Sequence, residues 1–555
     1  MISREYKRWL ANVSDQKLLS ELESMADSEK SVEDAFFRSL EFGTGGLRGV
    51  IGAGTNRMNI YTVARASLGL AQYVADNGGK SIAIGYDTRI NSLLFAKTAA
   101  CVFVSFGLKA YIYKAPLPTP MLSFAVRALG CDGGVMITAS HNPSEYNGYK
   151  VYGGDGCQIT DAAAGDILSC INEFDYFDFK GYCLFDEYLE KLRIEYISDE
   201  IFSDYIASVE MTSMLNSAKS DKDIKIVYTP LNGTGYVPVL RILEKNGYKN
   251  IITVNEQALP DGKFPTCPYP NPEIKEALTL GLRYAEKNNA DILLATDPDC
   301  DRVGVALKIV DGYKILTGNE VGLLILDYVA TQMKNSGAMP DSPLCIKTIV
   351  TTELAAAIAK AYGIETVNVL TGFKYIGEKI GELESRGEEK RFVLGFEESC
   401  GYLGGSYVRD KDGVYASFII AEMTAYYKTQ GISLYARLCE IYREFGYEKN
   451  SLFSYGFPGV DGFDKMRSIM NLFRDSVEYI GDSKISKCED YLLGVSNLPK
   501  SNVVKFYLED ASTVVIRPSG TEPKLKIYIS VTADNEENAA VKTERLKSSL
   551  EEKLI

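Results

Sequence analysis

Ser140 is the residue of this 555-residue chain best placed for covalent chemistry. It stands in Gly133-Gly-Val-Met-Ile-Thr-Ala-Ser-His-Asn-Pro143, where a short apolar run reads as a strand with a hydroxyl at its end. Beside it is His141, the only histidine in the chain. A strand fixes a hydroxyl in space, and an adjacent imidazole can position it or take its proton. Asn142-Pro143 reads as the opening of a helix, whose free N–H groups would hold an anion next to the serine. These residue types in this order suit covalent phosphate chemistry.

Asp297-Pro-Asp-Cys-Asp-Arg302 sets three carboxylates at alternate positions behind another apolar run. Like charges so close raise one another's pKa unless a cation neutralises them. Oxygen-only donors suit Mg²⁺, which leaves positions for water or phosphate. An EF-hand is excluded, because Arg302 stands at the sixth position and Lys308 at the twelfth. A rival enzyme reading is the D-x-D-x-[TV] nucleophile loop of haloacid-dehalogenase-type phosphatases, which Asp299-Cys-Asp-Arg-Val303 fits. In that family the first Asp directly follows the strand. Counting from Asp297 places Asp301 where Thr or Val belongs.

Three further segments carry chemistry. Arg517-Pro-Ser-Gly-Thr521 offers a planar fork, two hydroxyls and open backbone, a clamp for phosphate through Arg517, Ser519, Gly520 and Thr521. Glu397-Glu398-Ser399 can accept and donate hydrogen bonds to sugar hydroxyls. Segment 42–49 reads as a glycine-rich turn presenting Arg48. It is no dinucleotide fingerprint, since Arg48 takes the place of the third glycine, and Gly79-Lys80-Ser81 is no Walker A loop, since Val74 takes the place of the first.

The elements that must position these loops alternate. Strands are expected at 81–85, 111–113, 133–137, 224–228, 251–254, 291–295, 345–350, 366–370 and 392–394. Helices are expected at 91–106, 120–129, from 235 to 245, from Pro272 to about 287, and at 353–362 behind a Thr351 or Thr352 cap. Alternation argues for mainly parallel sheets covered by helices, with ligands at the strand C-terminal ends. After about Tyr447 the pattern changes to a helix at 464–473, strands at 503–508, 513–516 and 526–531, and a charged helix at 536–553.

A chain this long exceeds one core. Apolar residues make up 46% and the net charge is −14, which suits a soluble globular protein and excludes a general nucleic-acid or acidic-membrane binder. The 11 cysteines contain no C-x-x-C pair, so a disulfide framework or zinc site is not expected. The first ten residues carry no apolar signal core and no run of about 18 apolar residues exists, so the expected location is the cytoplasm. Monomer and homodimer are equally consistent with the sequence.

Together these segments resemble the loops of the α-D-phosphohexomutase superfamily. Thr138–Pro143 resembles its phosphoserine loop, Asp297–Arg302 its metal loop, Gly395–Ser399 its sugar loop and Arg517–Pro523 its phosphate loop, in family order and about a domain apart. The chain length, segment 42–49, Thr371-Gly-Phe-Lys374 and Arg409-Asp-Lys-Asp-Gly413 look most like the long phosphoglucomutase-2 type. That branch includes α-phosphoglucomutases, phosphopentomutases and glucose-1,6-bisphosphate synthases.

The resemblance implies an α/β fold of four domains around a central cleft. Three would be similar mixed α/β sandwich domains (1–205, 206–315, 316–446), and a smaller α+β domain would span 447–555. It implies a phosphorylated Ser140 and Mg²⁺ on Ser140, Asp297, Asp299 and Asp301. Arg48, His141 and Lys150 would surround the reacting phosphate. Arg302, Thr371, Gly372, Lys374, Glu397, Ser399, Lys411 and the Arg517–Thr521 clamp would hold substrate, with glucose 1,6-bisphosphate as activator. The implied activity is phosphoglucomutase. Mannose or pentose phosphates, or bisphosphate synthesis, are the alternatives on the same loops, and a non-catalytic sugar-phosphate-binding protein is the non-enzyme one. Cys400-Gly401 departs from shorter members, which place histidines near the sugar loop, so acid–base duty beyond His141 falls to Lys, Arg or Glu.

Overall fold

In the computed structural model, residues 2–43, 45–215, 220, 222–457, 462–475, 477–519 and 524–554 are described. The strands form four sheets in chain order. The first holds β1 (Gly46–Val50), β2 (Ser81–Tyr86), β3 (Lys109–Ile112), β4 (Gly133–Ile137), β5 (Tyr146–Gly153) and β6 (Ile194–Tyr196), ordered β1-β5-β4-β2-β3-β6. The second holds β7 (Ile226–Thr229), β8 (Ile251–Thr253), β9 (Ile292–Thr296), β10 (Val303–Ile309) and β11 (Gly312–Leu316), ordered β11-β10-β9-β7-β8. The third holds β12 (Leu344–Thr348), β13 (Glu365–Val369), β14 (Phe392–Glu397) and β15 (Gly401–Leu403), ordered β13-β12-β14-β15. The fourth holds β16 (Tyr447–Gly456), β17 (Tyr479–Ile480), β18 (Ser483–Asp490), β19 (Val504–Leu508), β20 (Thr513–Pro518) and β21 (Lys524–Ala533), all antiparallel, ordered β16-β21-β20-β19-β18-β17.

The first three sheets are mixed rather than mainly parallel. Their central strands β4, β9 and β14 are parallel to one neighbour and antiparallel to the strand that follows in sequence: β5, β10 and β15. Each chemically loaded loop therefore joins the two strands of a hairpin, and the β20–β21 connection repeats this in the fourth sheet. The first three loops each contain one non-glycine residue in the left-handed region, Ser140 (φ 51), Cys300 (φ 50) and Cys400 (φ 61). Such a residue reverses the chain tightly and persists only where its surroundings hold it.

Three local readings change. Asn142-Pro143 opens no helix; the chain turns directly into β5, because the carbonyls that would start a helix are bonded elsewhere. Arg48 lies within edge strand β1, opposite Gly148 of β5, and not on a turn. The helix expected from Pro272 begins at Lys275 after a turn held by Asn271, and Thr352, not Thr351, accepts from the N–H of Leu354 at the head of Leu354–Ala361.

β4, β9 and β12 are buried along their whole length, as strands covered by helices on both faces should be. One hydrophobic core runs through the second and third sheets and takes in Met121 and Tyr205 from beside the first. The fourth sheet keeps its own core under the helix Glu536–Glu551. It meets the third through a small patch of Ile349, Val350 and Leu370 against Tyr491, Val503 and Tyr528. Three α/β domains thus share apolar contacts, while the C-terminal α+β domain keeps a separate core and joins the third through this patch and the contacts of Lys505 with Ile349 O and Glu353. Among the described residues no helix is long and apolar enough to cross a membrane.

Candidate active site

The β4–β5 hairpin delivers Ser140. Its Oγ donates to Asp297 Oδ2 at 2.9 Å and lies 3.1 Å from His141 Nδ1. Its backbone N–H donates to Thr138 Oγ1 at 2.8 Å. The loop is tied from within by Arg89, which the sequence reading did not single out. The buried guanidinium donates to the carbonyl oxygens of Ser140, Asn142, Pro143 and Tyr146. Its Nε lies 3.3 Å from Asp87 Oδ2, and its plane sits over Phe264 of the neighbouring domain. The available signal was Asp87-Thr-Arg89 at the C-terminal end of β2, on the same sheet end as Ser140.

The β9–β10 hairpin carries the triad. Ligand oxygens of Asp297, Asp299 and Asp301 all lie within 4.8 Å of one another, and all three side chains are buried. Asp297 Oδ1 accepts the backbone N–H of Asp301 and Arg302, which curls the loop around it. Asp299 Oδ2 accepts from Thr119 Oγ1 and Lys150 Nζ, both at 2.9 Å. Asp301 Oδ2 meets Lys411 Nζ at 2.8 Å and Lys150 Nζ at 3.5 Å. Asp299 Oδ1 and Asp301 Oδ1 are buried without a hydrogen-bond partner. Buried carboxylate oxygens rarely stay unpaired, and two beside a third carboxylate fit a hard divalent cation.

The electrostatics agree. Burial, then the charges of Asp301 and Asp299, push the Asp297 carboxyl well above the usual range. Burial opposes the charge of Asp299 too, yet Lys150 holds its carboxyl below the usual range. The same pairing outweighs burial at Lys150 and raises its ammonium. Burial, helped by Arg302 and Arg48, pushes His141 well below the ordinary imidazole value. Arg48 reaches Asn142 Oδ1 at 3.3 Å on the open side of the loop. Arg302 is paired with Glu273, a partner from a segment the sequence reading treated only as a helix start.

The β14–β15 hairpin brings Glu397 to the same place. Burial pushes its carboxyl up to about 7, against the pull of Lys411 and Arg302. Glu398 Oε2 accepts from Thr348 and Thr351, so it is spent on the loop, while Ser399 stays half-buried. Thr371 Oγ1 is buried without a partner, Gly372 takes φ 121 before the helix Phe373–Ser385, and Lys374 Nζ reaches Asp161 Oδ1 at 2.7 Å. In the fourth domain Arg517 sits opposite Lys526 in the β20–β21 ladder. Both residues and Ser519 line a cavity of about 600 Å³ whose other wall includes Phe42, Gly43 and Arg65. Gly520 and Thr521 lie outside the described residues.

The first three hairpins therefore converge: Ser140 meets Asp297 across the first two, the Val303 N–H donates to Cys400 O at 3.0 Å between the second and third, and Lys150 and Lys411 join the triad. Four family models match the chain in order. They are described as phosphoglucomutase/phosphomannomutase alpha/beta/alpha domain I over residues 39–176, domain II over 202–309, domain III over 317–445 and the C-terminal domain over 477–548. A phosphoglucomutase of Staphylococcus saprophyticus is 36% identical over 541 residues, 95% of this chain and 96% of that protein. A phosphoglucomutase of Staphylococcus aureus is 34% identical over 552 residues, 96% of this chain and 97% of that protein. Among solved structures, the open form of the Paramecium phosphoglucomutase parafusin superposes with a TM-score of 0.69 at 17% identity, covering 93% of this chain and 95% of that one.

Proposed function

The chain belongs to the phosphoglucomutase/phosphomannomutase family, the α-D-phosphohexomutases, and from that footing we propose that it interconverts α-glucose 1-phosphate and glucose 6-phosphate through a phosphorylated Ser140. It is an enzyme of the isomerase class. The observation that carries the reading is the Ser140 hydroxyl held 2.9 Å from the buried Asp297 carboxylate, between hairpins of two domains. A metal site directly behind a nucleophile suits phosphoryl transfer better than sugar binding alone. The haloacid-dehalogenase reading loses its basis, since β9 ends at Thr296 and the residue directly after it is Asp297, which puts Asp301 where that family has Thr or Val.

In this reading glucose 1-phosphate places its phosphate on Arg517, Ser519, Gly520 and Thr521 and its 6-hydroxyl before phospho-Ser140. The bond from phosphorus to Ser140 Oγ breaks as the bond to the sugar oxygen forms, and the sugar's proton passes to a base. His141, 3.1 Å from Ser140 Oγ, gives the departing serine oxygen a proton taken up from solvent and takes it back when the serine is phosphorylated again. Arg48 and Lys150 face the phosphoryl oxygens as fixed cations. Asp297, Asp299, Asp301 and the serine oxygen would hold Mg²⁺, which supplies positive charge to the transferring group. Glu397, Ser399 and Lys374 contact ring hydroxyls or phosphate in either orientation, so the bisphosphate can turn end for end and return its other phosphate to Ser140.

The domains are bounded near 205, 315 and 446, and the enzyme works in the cytoplasm on small sugar phosphates. The test is a coupled assay with purified protein, Mg²⁺, α-glucose 1-phosphate and a trace of glucose 1,6-bisphosphate, reading glucose 6-phosphate through its dehydrogenase. Turnover that depends on the bisphosphate is the expected result. No turnover with glucose 1-phosphate, but turnover with mannose or pentose phosphate, overturns the choice of sugar. Accumulation of bisphosphate from 1,3-bisphosphoglycerate indicates the synthase.

A further inference from the structure

The segment Arg409–Gly413 does more than present Lys411. The Arg409 N–H donates to Ser123 Oγ at 2.9 Å, beside the first sheet, and the Gly413 N–H donates to Cys300 O at 3.1 Å, in the metal hairpin. The Asp412 N–H donates to Tyr402 O at 2.9 Å, in the third sheet. Five residues thus register three domains against one another. Among them Asp410 is buried and bonded on both oxygens. Its Oδ2 accepts from the Tyr152 hydroxyl of β5 at 2.8 Å. Its Oδ1 accepts from the backbone N–H of Lys411 at 2.9 Å and lies 3.4 Å from the Lys411 ammonium.

That ammonium is the one 2.8 Å from Asp301 Oδ2. Its aliphatic stem crosses Gly401 so closely that a Cβ there would come within 2.5 Å of Lys411 Cδ. The side chain is confined on one side by the sugar hairpin and held on the other by Asp410. An ammonium on a flexible stem is a mobile point charge unless neighbours fix it, and groups behind a metal-site residue set its geometry as firmly as the residue itself.

We propose that Asp410, fixed by the Tyr152 hydroxyl, is a positioning residue that sets the reach of Lys411 toward Asp301 and the bound sugar phosphate. The proposal rests on the mutase reading, in which Lys411 acts at the reacting centre. Tyr152 comes from the first domain and Asp410 from the third, so the pair converts the packing of two domains into the placement of one charge.

A double-mutant cycle in the coupled assay tests it, with melting temperature as the control for folding. Asp410→Asn is expected to lower kcat/KM by about 10- to 100-fold, and Tyr152→Phe, which removes one hydroxyl, by about 3- to 10-fold. Lys411→Met is expected to lose at least as much as Asp410→Asn and to divide its loss between kcat and KM in the same proportion. Because Asp410 acts through Lys411, the double variant should be no worse than Lys411→Met alone. Losses that multiply, or a different division between kcat and KM, overturn the proposal. Should Asp410→Asn fail to fold, Tyr152→Phe with Lys411→Met completes the same cycle. Full activity in Lys411→Met would instead remove Lys411 from the mechanism, and the proposal with it.

Discussion

Replacing Glu397 with Gln should stabilise the fold while damaging the site. Burial at the end of β14 pushes the Glu397 carboxyl up to about 7, whereas the unfolded chain gives up this proton near the ordinary glutamate value. Between those values the folded protein binds more protons than the unfolded one, so stability falls as pH rises through the window and stays lost above it. A gap of about 2.5 units corresponds to about 3 kcal/mol. Gln cannot ionise, so the variant escapes that loss. In chelator-treated protein, urea unfolding followed by circular dichroism should give Gln and Glu forms of near-equal stability at pH 4. By pH 8 the variant should be ahead by about 3 kcal/mol. Its kcat/KM should meanwhile drop about 10- to 100-fold, because a carboxylate acceptor for sugar hydroxyls has become an amide. Parallel stability profiles from pH 4 to 8, or a less stable variant at pH 8, would refute the reasoning.

Ser140→Ala should lower kcat by about three orders of magnitude or more with the fold intact, and near-wild-type turnover would remove the phosphoserine cycle. Arg89→Lys keeps the charge but loses the fork that reaches four carbonyls; it should cost about 2–4 kcal/mol and slow Ser140 phosphorylation, checked by thermal melting and by phosphate incorporation from glucose 1,6-bisphosphate. Asp299→Asn should weaken Mg²⁺ binding by about 10- to 100-fold in calorimetry; unchanged affinity would place the ion elsewhere. The separate core of the fourth domain predicts that it swings over substrate, so scattering should show compaction when glucose 1-phosphate is added, and identical profiles count against it.

The four loops were legible because each follows a short apolar run and packs several chemical groups into a few residues. The strand after the fourth loop was read too, as β21, but those after the first three were not. β15 spans three residues, and β5 mixes polar and aromatic positions in Tyr146–Gly153, so neither has a periodicity to read. Missing them turned mixed sheets into mainly parallel ones and gave Asn142-Pro143 a helix. It also left Arg48 on a turn, although its strand exists only by pairing with β5. The unread partners are those that act across domains: Thr119 on Asp299 spans 180 residues and Tyr152 on Asp410 spans 258. Nothing local marks such pairs, because the reason for each lies in a carboxylate far along the chain. Arg89 is intermediate, since its sequence context was visible but its acceptors are backbone carbonyls, which no side-chain pattern reveals.

One imidazole among 555 residues, 3.1 Å from the nucleophile and edge-on to Tyr269, has a practical consequence. A sample labelled at histidine alone would give a single set of ring resonances, assigned without a mutant. Its chemical shift would respond to anything that alters the charge on the neighbouring oxygen or the tilt of the tyrosine ring. The nuclear magnetic resonance of this one side chain would therefore follow the serine through its cycle in real time, in a protein too large for routine assignment.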